Sequence, residues 1–201
     1  DYKNKFSDFD FEKKLKDFLL SLYSPLNKGH KYVLDKTPRY WHILEEIKHI
    51  FPKSKIIVLK RNPLEVARSI FLTWDVNNLE GLIPYKNDLL KGPWAIKTFE
   101  DKYSSNEDVF FLKYEDLLEN PDNISLELYN WLEIPFKPGV LNIEGNKKYR
   151  GKYGDPYLNS EKGYEKAKNA ANSRALSKLQ KDFINGYEQY LGEDFLKDYG
   201  M

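Results

Sequence analysis

Arg61 and Ser69 lie eight residues apart across Asn62-Pro63, and together they offer a permanent cation and a hydroxyl donor. A guanidinium binds phosphate oxygens through paired N–H groups, and a hydroxyl adds one more donor. Asn62 is a good N-cap and Pro63 a good first helical residue, so backbone N–H groups and the positive helix end are expected to face the place where Arg61 emerges. An anion there is favoured twice, and the chemistry to expect is the holding of one phosphate. Two other cationic places stand apart in the chain. One is Lys36, in Asp35-Lys36-Thr37-Pro38. The other is Arg150-Gly151-Lys152, whose glycine-containing, non-periodic surroundings suit a lid over an anionic nucleotide. A surface lysine before a turn and a solvated loop are the plainer readings of these two.

The elements that must position these groups are legible from periodicity. Ile56, Ile57, Val58 and Leu59 form an unbroken apolar run, the pattern of a strand covered on both faces in a parallel sheet. The helix that follows carries Leu64, Ala67, Ile70 and Phe71 on one face. Residues 109–113 predict a second buried strand, followed at Asn120-Pro121 by a helix bearing Leu126, Leu128, Trp131 and Leu132. Lys31 to Leu34 reads as a short strand-like segment that would place Lys36 at a strand end, on the same rim as Arg61. Pro38 disfavours helix at Thr37 and allows one from Arg39 to Ile50. An amphipathic helix is expected around Phe11, Leu15, Phe18, Leu19 and Leu22. A terminal packing helix is expected from a Ser173 cap to about residue 191, ended by Gly192.

In this order and spacing the segments resemble the sulfotransferases that use 3'-phosphoadenosine 5'-phosphosulfate (PAPS). The hydrophobic strand, Arg61-Asn62-Pro63 and Ser69 resemble that family's 3'-phosphate site. Asp35-Lys36-Thr37-Pro38-Arg39-Tyr40 is similar to the motif whose lysine lies near the transferring sulfuryl group, which implies that Lys36 stabilises charge on the leaving phosphate. Tyr114-Glu115-Asp116-Leu117 resembles the stretch whose tyrosine contacts the adenine; a tyrosine packed beneath the next helix is the alternative for Tyr114. Arg150-Gly151-Lys152 is similar, with a changed order, to the loop that closes on the 3'-phosphate. The resemblance implies a P-loop-NTPase-like three-layer α/β fold with a central parallel sheet flanked by helices, built as one domain over 1–201. It also implies PAPS as donor, no metal, and a hydroxyl-bearing glycan, phenol or lipid, or an amine, as acceptor.

The sequence also departs from that family. Its eleven glycines form no glycine- and serine-rich loop for the 5'-phosphosulfate, so an upstream piece carrying that loop and its strand is expected. Pro38 stands where cytosolic members place a histidine base, which leaves the base unnamed; the resemblance to glycan-modifying members, which use an upstream carboxylate, implies one within Asp8 to Glu12 or in the upstream piece. Lys plus Arg (32) nearly balance Asp plus Glu (31), so no overall basic field points to nucleic acid. Without cysteine there is no thiolate metal site, and His30, His42 and His49 lack ligand spacing, the last two falling seven apart on one expected helix. No apolar run reaches membrane-spanning length, and the cytoplasm is the expected location. Tyr40, Trp41, Trp74, Tyr85 and Trp94 fall near the site loops, where some could line an acceptor pocket and most are expected to pack. Two other functions use a similar sheet. A nucleotide kinase would need a Gly-Lys-Ser/Thr loop, which is missing, and a non-catalytic interaction domain would have no need of Arg61 and Ser69.

Overall fold

The computed structural model of the protein describes residues 8–137 and 175–200. Ten helices longer than a single turn of 3-10 type and two strands alternate through the described residues. In chain order the first are α1 (Asp8–Tyr23), α2 (Leu44–Ile50), β1 (Ile56–Lys60), α3 (Pro63–Thr73), α4 (Lys86–Leu90) and α5 (Gly92–Tyr103). They are followed by β2 (Val109–Lys113), α6 (Tyr114–Glu119), α7 (Pro121–Trp131), α8 (Lys178–Leu191) and α9 (Glu193–Tyr199). A further 3-10 helix spans Glu80–Tyr85.

β1 and β2 pair in parallel, with Ile56 opposite Val109 and Lys60 opposite Lys113. Helices lie on both faces of this sheet. On one face Ile56, Val58 and Val109 pack with Leu44 of α2 and the fully buried Phe99 of α5. On the other, Phe110 meets the indole of Trp131 in α7 at 5.3 Å between ring centres. Burying a ring such as Phe99 stabilises the fold by about 1.5–3 kcal/mol. A second core joins α3 to α8 and α9 through Ala67, Phe71, Tyr187, Leu191 and Leu196. The apolar face foreseen for α3 is therefore real, and Ala67, Ile70 and Phe71 are buried in it.

Several expected boundaries move. Lys31 to Leu34 opens on a bend and forms no strand among the described residues. Its side chains do the anchoring instead: Lys31 Nζ donates to the Leu132 and Glu133 carbonyls at 3.2 and 3.1 Å, and Tyr32 Oη to Leu132 O at 3.0 Å. The helix foreseen from Arg39 to Ile50 is broken into a 3-10 turn, Tyr40–His42, and α2, because Ile43 leaves helical geometry at ψ 27°. His42 and His49 thus sit on different elements; His42 stacks on Trp41 and His49 pairs with Glu12 at 3.1 Å. α1 forms, yet Phe11, Phe18 and Leu22 are exposed rather than packed. Leu126 of α7 is likewise exposed, whereas Ser125 is buried. The C-terminal helix begins at Lys178, since residues 175–177 are not helical. Its cap is Ser177, not Ser173: Gln180, three residues on, returns a bond to the Ser177 N–H and completes a capping box. Gly192, at φ +81°, ends α8 and turns the chain into α9, a conformation that a side chain would strain.

Candidate functional site

The register of the sheet runs on past its strands. Beyond Lys60 and Lys113, the next residues are Arg61 and Tyr114, and the Arg61 guanidinium carbon lies 4.6 Å from the centre of the Tyr114 ring. One step further, the Asn62 N–H donates to a Glu115 carboxylate oxygen at 3.0 Å, again across 53 residues of chain. Two consecutive residues after β1 are thus gripped by two consecutive residues after β2, at the carboxyl end of a parallel sheet, where α/β folds bind ligands. A cation over an aromatic face contributes roughly 0.5–2 kcal/mol and holds the guanidinium plane in one orientation. Arg61 Nε is buried and finds no acceptor among the described residues. A buried unpaired guanidinium donor is costly, and an anionic oxygen is the partner its chemistry asks for.

The start of α3 differs from expectation in one respect. Asn62 Oδ1 accepts from the N–H groups of Leu64 (2.8 Å) and Glu65 (3.3 Å), the Asn62 carbonyl accepts from Val66 N–H (2.9 Å), and Pro63 has no N–H. With the Asn62 N–H held by Glu115, the helix-start donors are taken by the protein itself. The positive helix end remains, and the donor left without an acceptor at this turn, among the described residues, is on the Arg61 side chain. Ser69 lies half-buried in the middle of α3, about 9 Å along the axis from Pro63 by helical rise.

Lys36 occupies an irregular strap, not a strand end. Upstream, Lys31 and Tyr32 tie the strap to the end of α7. At its centre the hydroxyls of Tyr23 and Tyr40 both donate to Asp35 Oδ2, the second at 2.6 Å. These bonds, Tyr23 first, hold the Asp35 carboxyl below the usual carboxylate range, and the same carboxylate pushes the Tyr23 hydroxyl up. Downstream, Arg39 makes a forked pair with Asp88, its Nη2 lying 2.7 Å from Oδ2, and also donates to Pro84 O at 3.1 Å. Trp41 Nε1 donates to the same Asp88 at 3.1 Å, and its indole covers Gly92, where an added Cβ would lie 3.6 Å away. Lys36 is exposed between these anchors.

Of the expected site residues, the structure brings Arg61 and Tyr114 into contact. Lys36 and Ser69 make no hydrogen bond with either, among the described residues. Arg150, Gly151 and Lys152 lie outside the described residues, as does Ser173. Of the loop aromatics, Tyr40 and Trp41 serve the strap and Trp94 packs on Phe195 at 4.0 Å, while Trp74 is exposed.

Three groups were not foreseen from sequence. Glu115 and Asp35 stand inside the quoted motifs, and the structure supplies their partners, the Asn62 N–H for one and the Tyr23 and Tyr40 hydroxyls for the other. The third is Lys60, which is buried, paired with Glu100 of α5 at 2.5 Å and seated over the Tyr199 ring at 4.7 Å. Burial pushes the Tyr199 hydroxyl up. At Gly200 an added Cβ would lie 2.6 Å from Lys113 Nζ, so the end of α9 rests directly on the ends of both strands. The signal that could have found this pairing is the Leu-Lys doublet closing each strand, Leu59-Lys60 and Leu112-Lys113.

A family model described as the sulfotransferase family matches residues 3–138. Nodulation protein NoeE of Sinorhizobium fredii (strain NBRC 101917 / NGR234) is 42% identical over 48 residues, 24% of this chain and 12% of that protein. An uncharacterized protein of Aquifex aeolicus (strain VF5) is 28% identical over 137 residues, 65% of this chain and 18% of that protein. The chain thus spans 12–18% of the length of these two curated relatives. Among solved structures, a sulfotransferase domain from the curacin biosynthetic pathway superposes with a TM-score of 0.52 at 20% identity, covering 88% of this chain and 67% of that one. That likeness is one of fold, the P-loop-NTPase-like three-layer arrangement with its parallel sheet flanked by helices. With the family match covering more than half of its length, this chain belongs to the sulfotransferase family.

Proposed function

We propose that the protein transfers a sulfuryl group from PAPS to a hydroxyl or amine of a glycan, phenol or lipid acceptor and releases 3',5'-adenosine bisphosphate. The observation that carries this reading is the Arg61–Tyr114 contact with its buried, unpartnered Nε donor, placed where a covered parallel strand passes into a helix. Arg61 would hold the donor's 3'-phosphate with Ser69 beside it, and Tyr114 would face the adenine. Lys36, exposed between the fixed points of its strap, would meet negative charge as it gathers on the leaving phosphate. Arg150, Gly151 and Lys152 would close over the nucleotide. PAPS supplies the activated sulfuryl group; the protein's part is to align donor and acceptor in line and to exclude water.

The 5'-phosphosulfate needs a loop that this sequence does not contain. We assign that loop to a further segment that covers the face of β1 on which Ile57 and Leu59 stay 37% and 54% exposed. An apolar pair of this kind fits a strand-and-helix neighbour better than water.

Calorimetric titration with 3',5'-adenosine bisphosphate and, separately, ATP tests the proposal. Preference for the bisphosphate is expected. Preference for ATP would instead favour a kinase, and binding of neither an interaction domain. Arg61→Ala is expected to weaken bisphosphate binding by about 1.5–3 kcal/mol, the worth of a charge-assisted hydrogen bond. Unchanged affinity would sink the assignment.

A further inference from the structure

The turn that carries Arg61 is held by a residue that does not itself reach toward a phosphate. The peptide group joining Arg61 to Asn62 presents its N–H to α6, not to a group of α3. Asn62 spends its side chain on Leu64 and Glu65, and Pro63 can donate nothing. That peptide is fixed by the Glu115 carboxylate, 3.0 Å from Asn62 N. Glu115 follows Tyr114, so one turn of α6 supplies both the ring under the guanidinium and the acceptor for the backbone that bears it. Glu115 also lies in the first turn of its helix, where a negative charge is favoured.

We propose that Glu115 is a positioning residue for the donor's 3'-phosphate, fixing Arg61 through the Asn62 N–H. The inference rests on the phosphate-binding role given to Arg61 above. A carboxylate is an awkward neighbour for a phosphate, because like charges repel. What the turn requires of Glu115 is therefore an acceptor atom at the right reach, and the charge is incidental to it. Glutamine keeps that atom and discards the charge; alanine discards both.

The test compares wild type, Glu115→Gln and Glu115→Ala by calorimetric titration with 3',5'-adenosine bisphosphate and by NMR of the ligand-free protein. Alanine is expected to weaken the bisphosphate about tenfold, the worth of one well-placed charged hydrogen bond, and glutamine to bind as wild type or more tightly. In the ligand-free spectra, alanine should let the Asn62 amide exchange faster and move the Arg61 Nε–H signal out of the Tyr114 ring-current position, and glutamine should preserve both. A purely structural role would lower the melting temperature of Glu115→Ala while leaving the bisphosphate affinity of the folded protein and the Arg61 signal where they are, and that result overturns the proposal. Glutamine as weak as alanine overturns it as well. Wild-type protein that binds no bisphosphate strikes instead at the function proposed for the fold, and the Arg61 signal then still reports whether Glu115 holds the turn.

Discussion

Substituting the Lys60–Glu100 pair offers a sharp test of how the carboxyl end of the sheet is held. Lys60 Nζ is 2.5 Å from Glu100 Oε2, with side-chain exposures of 4% and 22%. The ammonium also sits over the ring of Tyr199. The two ends of this pair are not equivalent. Glu100→Leu strands an ammonium that water cannot reach, and breaking a buried pair from that side costs about 3–5 kcal/mol. Lys60→Met leaves a carboxylate that can still be hydrated, so the loss is smaller, about 1–2 kcal/mol, because a partly exposed ion recovers water. Methionine sulfur against the Tyr199 ring replaces about 0.3–1.5 kcal/mol of the lost cation contact. The double variant removes both charges and is expected near wild type, which makes the coupling between the two sites about 3 kcal/mol or more. Urea unfolding followed by tryptophan fluorescence measures all four proteins. In thermal melts the Glu100→Leu protein should fall by roughly 10 °C, at 2–4 °C per kcal/mol for a chain of this size. Equal losses for the two single variants, with a double variant that simply sums them, would show that the pair is solvated and that the burial argument is wrong.

Two further outcomes follow from hydrogen bonds elsewhere. Asp108 is held below the usual carboxylate range by its hydrogen bond from Lys55 and the nearby charge of Lys48. A carboxyl whose folded-state affinity for protons is lowered stabilises the fold above the ordinary carboxylate range and loses that contribution as pH falls through its folded value. The urea midpoint gap between wild type and Asp108→Asn should therefore be constant from about pH 7 to 5 and close below about pH 4; a gap that widens in acid contradicts the linkage. Ser177→Ala should cost about 1 kcal/mol by removing a helix cap. Gln180→Ala should cost more, about 2 kcal/mol, because it also leaves the Val76 carbonyl, now bonded at 2.8 Å, buried without a donor. Equal losses for these two variants in urea titrations would contradict that ordering.

What could be read from the chain was local. Ile56 to Leu59 announces a strand and Asn62-Pro63 a helix start, and both form where expected because each depends on its own neighbours; the cover expected on both faces of the strand is missing on one, where Ile57 and Leu59 stay exposed. The Lys31–Leu34 segment departs for the same reason: whether a strand-like sequence becomes a strand is decided by a partner elsewhere, and here Lys31 and Tyr32 bond the end of α7 instead. Ser173 and Ser177 are equally good caps taken singly. Ser177 caps α8, with Gln180 three residues on to complete the box; in the sequence Leu176 stands three residues after Ser173, which lies outside the described residues. Within the site, Arg61 and Tyr114 could be named from a motif, but their contact could not, nor could the use of Asn62 N–H by Glu115. Both depend on a register between segments that share no local signal beyond the closing Leu-Lys doublets.

Because that register joins residues 53 apart, neither half of the clamp exists as a separate unit. Closing so long an interval of chain is an entropic barrier that local helices do not face, and parallel pairing has no hairpin to start it. During synthesis, Arg61 must wait until β2 has left the ribosome before it has anything to lean on. The local helices face the lower entropic barrier, and the Arg61–Tyr114 contact shares the higher one with the strand pair.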